Sequence, residues 1–333
     1  MFICVQPPPG PEKFNPAGLQ NEKARNTIPL MPDGILIIDK PKGMTSHDVV
    51  ARLRRLLKTK KIGHTGTLDP FATGVLVMMV GKATRLTRYL HSDDKEYEAV
   101  ARFGFETDTG DSTGEPRDGG NGKLNFVGPT VEQIKAVLPE FTGEIEQVPP
   151  MYSAKKVKGE RLYKLAREGR EIEREPVKVR IGPLECMGEI AVGEGTMDIG
   201  LRVNCSAGTY VRTLAEDIGR RIGVGCHLVE LRRTRAGRFT IEQAKTLEEI
   251  EAITETGAEA GLLPLIQAVA EMPSVTLSDD DLKRVSNGMP VGADEGFSPG
   301  TSEVALLDDL GRLAAVGELD AGEGVIRPKL VVI

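Results

Sequence analysis

The sequence predicts an α+β protein: a mixed, largely antiparallel sheet flanked by helices, followed by a small β-rich domain. Segments that alternate apolar and polar residues are mixed irregularly with segments of helical spacing, and no regular βαβ array or internal repeat is present. A chain of 333 residues is long enough for two cores. Beyond Pro273 the pattern turns to short strands separated by Gly-containing turns.

Residues 1–32 hold seven prolines and no apolar period, so a flexible leader is expected. Order should begin at the β-branched run 34–39, which ends at Lys40-Pro41-Lys42-Gly43. Ser46 then suits the cap of a helix with Val49, Val50, Leu53, Leu56 and Leu57 on one face. The stretch 61–70 has no period, and Gly63, Gly66, Pro70 and Gly74 suggest a loop that holds a shape before the buried strand 75–80. A short helix through Leu86 and Leu90 leads to strand 95–104, with Tyr97, Ala99, Ala101 and Phe103 on its inner face. After a Gly/Asp-rich turn at 107–122, Thr130 and Gln133 spell a capping box for a helix ended by Pro139. Residues 143–174 read as a polar, basic excursion. Strand 197–205 and a helix at 211–222 stopped by Gly223 follow, then an acidic helical stretch at 246–270. The expected organisation is a leader at 1–32, a domain at 33–250, a linker at 251–272 and a β-rich domain at 273–333.

Composition excludes several classes. No apolar run is long enough to cross a bilayer as a helix, and the N-terminal segment makes a poor secretory signal, so the cytoplasm is the expected location. Four cysteines and four histidines show no ligand spacing, and no metal is expected. The net charge of −6 hides an asymmetry: residues 239–333 carry 18 acidic and 6 basic side chains, leaving 31 acidic and 37 basic before them. The positive charge falls in three groups: Arg52, Arg54, Arg55, Lys58, Lys60 and Lys61; Lys155, Lys156, Lys158, Arg161 and Lys164; and Arg232, Arg233, Arg235 and Arg238. Together they favour a phosphate-bearing partner. Asp69, in the shaped loop, is the carboxylate placed to act; turn punctuation before Pro70 and a nucleophilic role both fit the spacing. No second carboxylate stands at an obvious partnering position. Arg212, near a helix start, would need an acid or phosphate if buried.

Gly63-His-Thr-Gly-Thr-Leu-Asp-Pro70 with Ala72-Thr-Gly74 resembles the TruB family of RNA pseudouridine synthases. Five further segments match in family order: 34–46, Lys95-Glu-Tyr97, 149–154, Cys205-Ser-Ala-Gly-Thr-Tyr-Val-Arg212 and Leu231-Arg-Arg233. The resemblance implies that Asp69 is the nucleophile, that Tyr97 stacks on the target base, and that Arg212 pairs with Asp69 and keeps it ionised. It implies that Leu231 packs in the pocket, that Lys40 supports it, and that His64 fills the space a flipped uridine leaves. Tyr152 would belong to an RNA-gripping insertion at 143–174. That insertion points to the stand-alone branch, which modifies the T-loop uridine of tRNA without a guide RNA or cofactor, and a monomer is expected. The last domain resembles a PUA-like module. An RNA-binding or RNA-folding protein with catalysis secondary is the alternative.

Overall fold

The computed structural model describes residues 33–333 apart from 92, 118–127, 154, 158, 194, 257–260, 294–296 and 299. The expected leader and part of the turn at 107–122 lie outside the described residues.

Strand β1 (Gly34–Lys40) opens the fold and is buried on both faces, as its unbroken apolar run requires. Helix α1 (Ser46–Leu56) is capped by Thr45, not Ser46: Thr45 and Asp48 form the capping box. Ser46 is buried and its hydroxyl is used elsewhere, as described below. Then come β2 (Ile62–His64), β3 (Thr73–Val80), a 3-10 turn and α2 (Thr87–His91). Strand β4 (Lys95–Gly104) alternates as expected, with Lys95 joining its buried face. Helix α3 (Val131–Val137) carries the Thr130–Gln133 capping box, but Pro139 continues the chain as a 3-10 turn.

The stretch 143–174 is more than an excursion. It opens with β5 (Gly143–Gln147), the edge strand of the main sheet, before the hairpin β6 (Lys156–Val157) and β7 (Glu160–Arg161) and helix α4 (Leu162–Arg167). Two further strands escaped the sequence reading: β8 (Val177–Gly193), and, after β9 (Thr196–Cys205) and α5 (Val211–Ile222), β10 (Gly225–Ala236). A short β11 (Phe239–Thr240) pairs with β10. Helix α6 (Leu247–Glu255) is shorter than the stretch 246–270 proposed for it.

The main sheet runs β1-β3-β10-β4-β9-β8-β5, antiparallel except where β10 meets β3. One face packs under α1, α5 and α6; the other buries Ile35, Ile37, Val75, Val77 and Met79 together with Leu313 and Val316 from a second sheet. That sheet is built from β12 (Ser274–Thr276), β13 (Val291–Gly292), β14 (Glu303–Leu307), β15 (Leu313–Asp320) and β16 (Val325–Val331), with α7 (Asp279–Ser286) beside it. Among the described residues no helix is long and apolar enough to cross a membrane.

Candidate active site

Asp69 lies in the loop between β2 and β3, at the end of the sheet where β1 finishes and β3 starts. The loop is pinned on both sides of it. The Ser46 hydroxyl donates to the Leu68 carbonyl (3.1 Å) and accepts from the Leu68 N–H (2.9 Å). The Pro70 carbonyl accepts from the Gly43 N–H at 2.7 Å and from Lys40 Nζ at 3.4 Å. Leu68, Phe71 and Ala72 are buried, yet the Asp69 side chain keeps 32% of its surface. Of the loop glycines, only Gly74 takes a positive φ (+99°), and Gly66 lies against the Arg233 guanidinium.

Arg212, the second residue of α5, aims its Nε at the Asp69 carboxylate, 2.9 Å away. Its other nitrogens are engaged too: Nη1 donates to the Thr109 carbonyl at 2.7 Å and Nη2 to the Tyr152 carbonyl at 2.8 Å. The buried Asp111 carboxylate lies 3.5 Å from Nη1 and is itself held by Thr109 and Thr113. Arg212 thus stands between two acids, and Asp111 is the second carboxylate that spacing did not reveal. Buried Gln147, at the end of β5, hydrogen-bonds both the N–H and the carbonyl of Tyr210 and so fixes the helix start that carries Arg212.

Burial raises the Asp69 pKa above the ordinary 3.8, Arg212 opposes that rise, and Asp111 adds to it. Arg212 therefore limits the shift. Tyr97 faces the same space from β4, and burial holds its phenol above 10.0. Leu231 of β10 is buried in the cluster that includes Tyr97 and Leu68. Lys40 is fully buried, its ammonium donating to the carbonyls of Pro41 (2.8 Å) and Met44 (2.7 Å) as well as Pro70, and burial pushes its pKa down to about 8. His64 is half-buried on β2, 6.3 Å from the ring of His47; burial pushes it down to about 4, so the ring is neutral at pH 7. Tyr152 meets the site through its backbone carbonyl.

Of the seven residues singled out in the sequence, Lys40, Asp69, Tyr97 and Leu231 fall on this end of the sheet and Arg212 and Tyr152 meet there, whereas His64 stands on β2 opposite Met78, further along β3. Those that sequence reasoning missed are Ser46, Asp111, Gln147 and Arg233. Among the described residues no group of three or more His, Cys, Asp or Glu is arranged to hold a metal ion. The arrangement offers an accessible carboxylate, held by a guanidinium near a flat buried ring, with the buried cations Lys40 and Arg233 in the wall behind it. It suits attack on a planar, anionic substrate.

Comparison with known proteins bears on which substrate. The TruB family pseudouridylate synthase N-terminal domain matches residues 54–211, and the tRNA pseudouridylate synthase B C-terminal domain matches residues 212–272. The tRNA pseudouridine synthase B of Solibacter usitatus (strain Ellin6076) is 42% identical over 289 residues, 86% of this chain and 96% of that one. The corresponding protein of Ectopseudomonas mendocina (strain ymp) is 43% identical over 304 residues, 90% of this chain and 95% of its own. This chain belongs to the TruB family of pseudouridylate synthases. A solved Cbf5-Nop10-Gar1 complex matches at a TM-score of 0.66 and 29% identity, covering 91% of this chain and 86% of that one. An H/ACA RNP bound to a substrate RNA containing 2'-deoxyuridine matches at 0.65 and 27%, with the same coverage. As a TruB-family protein the chain is an isomerase with the α+β fold that its sequence predicts.

Proposed function

We propose that this protein isomerises the T-loop uridine of tRNA, position 55, to pseudouridine, acting alone, without a guide RNA, as a cytoplasmic monomer. The observation that carries the reading is the Asp69 carboxylate, fixed 2.9 Å from Arg212 and still reachable from solvent, with Tyr97 beside it. The names of the relatives that match over nearly the whole chain support tRNA as the substrate.

In the reaction the uridine N1–C1′ bond breaks, the base turns and C5 bonds to C1′; the C5 proton leaves to solvent and N1 gains one. Atoms balance without a redox partner. Asp69 is the nucleophile, Arg212 aims it and favours its ionised form, and Tyr97 stacks on the base. The neutral His64 ring enters the space left when the uridine leaves its stack. Lys40 and Leu231 shape the floor, and the segment around Tyr152 closes over Arg212 as the first part of an RNA-gripping insertion at 143–174. Residues 33–250 form the catalytic domain in this reading, with 251–272 as linker and 273–333 as a PUA-like module.

The test is to incubate the purified protein alone with an unmodified tRNA transcript, and with a transcript whose T-loop uridine is replaced by cytidine, and to map pseudouridine by chemical probing. One modified position in the first RNA and none in the second is expected. Modification elsewhere, or only when a guide RNA is added, would overturn the assignment.

A further inference from the structure

Arg233 lies in the leucine motif, yet the roles above leave it unused. Its side chain is buried, and its register partners are Tyr97 on β4 and Gly74 on β3. Nε donates to the Val75 carbonyl at 2.6 Å and Nη2 to the Gly66 carbonyl at 3.1 Å, and the guanidinium acts on the phenol of Tyr97, its register partner, favouring the phenolate. Among the described residues no carboxylate lies within ion-pair distance of it. The groups that face it are Lys40 at the end of β1, His64 on β2, Lys95 on β4 and Cys205 on β9, with Asp69 beyond Tyr97. A buried cation among like charges and without an acid is an expensive arrangement. What it achieves is geometric: a rigid planar fork joins the strand after Asp69, the loop before it and the phenol beside it.

We propose that Arg233 is a positioning residue that holds the Tyr97 ring and hydroxyl in register with the Asp69 loop. The inference rests on the reading of Tyr97 as the residue that meets the target base. Arg233 acts through Tyr97 and the Gly66 carbonyl and makes no contact with the reacting atoms.

The chain has five tyrosines, so 3-fluorotyrosine labelling gives a resolvable fluorine spectrum in which Tyr97→Phe assigns the Tyr97 signal. Arg233→Gln should move that signal and shift its titration to higher pH, because the lost guanidinium favoured the phenolate. Arg233→Lys, which keeps the charge and the fold but not the fork, should move the signal as well. In single-turnover assays both variants should slow the reaction about tenfold or more while tRNA affinity changes less than about threefold. An unmoved Tyr97 signal in the folded Lys variant would overturn the proposal. So would a loss confined to tRNA affinity, which would make Arg233 a phosphate contact. If the unsubstituted protein failed to isomerise uridine, the functional reading would fall, and the fluorine spectra would still judge the positioning on their own.

Discussion

Asp69 is held between opposing influences: burial and Asp111 favour its protonated form, and Arg212 favours the carboxylate. In the proposed mechanism Asp69 attacks as the carboxylate, so the rate should fall as pH drops through a pKa above the ordinary 3.8. Removing Arg212 takes away the lowering influence, so Arg212→Gln should move this acid limb to higher pH; the pH dependence of single-turnover rates reads the shift. An Arg212→Gln limb at the same or lower pH would show that burial and Asp111 alone set the titration. Ser46 is the other residue whose worth can be measured. Its hydroxyl satisfies both backbone groups of buried Leu68, next to Asp69. Ser46→Ala should cost about 1–3 kcal/mol of stability, read by urea unfolding, and lower kcat more than it raises KM.

At the scale of elements, the site is a junction of strands. β3 starts where β10 crosses it in parallel, and Gly74 at that point has φ +99° with the Arg233 carbonyl 2.2 Å from where a Cβ would stand. Gly74→Ala should therefore destabilise the protein by more than about 2 kcal/mol, since both the positive φ and the backbone clash oppose it; thermal unfolding measures this. The same junction shows what could be read in the sequence and what could not. β4 and α5 were legible because their buried residues recur at the periods of a strand and a helix, and the Thr130 box was legible because its two partners are three residues apart. β10 was not, because its three arginines look like surface charge. Each has a partner within the protein: Arg232 pairs with Asp39 at 2.7 Å and Arg235 with Asn204 at 3.0 Å, both half-exposed, and buried Arg233 donates to carbonyls. β8 was hidden because most of its length is exposed and Gly182-Pro183 and Gly188 interrupt its pattern. Asp111 lay in a Gly/Asp-rich turn that resembles any other; its meaning comes from Arg212, about a hundred residues later, and distance in sequence conceals such pairs. Thr45 performs the capping role that the sequence suggested for Ser46, because both residue types cap helices and the Asp48 that completes the box pairs with Thr45.

Across the whole molecule, one sheet brings together residues from widely separated segments: Lys40 and His64 early, Asp69 and Tyr97 next, Arg212, Leu231 and Arg233 late. Its opposite face is sealed by the second sheet, where Arg88 of α2 meets Glu303 of β14 at 2.9 Å. The basic segment around α1 stays on the surface, with Arg54, Arg55, Lys58, Lys60 and Lys61 exposed. The C-terminal part carries the chain's net acidity. The Asp69 carboxylate, the Arg212 guanidinium and the buried Tyr97 therefore meet at one end of the sheet, which is the central claim. The measurement that tests it most directly is tritium release from a tRNA transcript labelled at uridine C5, with the unsubstituted protein and Asp69→Asn at equal concentration and tRNA binding followed in parallel. The account predicts release by the unsubstituted protein, none by Asp69→Asn, and similar tRNA binding by both. Release at an undiminished rate by Asp69→Asn, or tight binding without release by either protein, would contradict it.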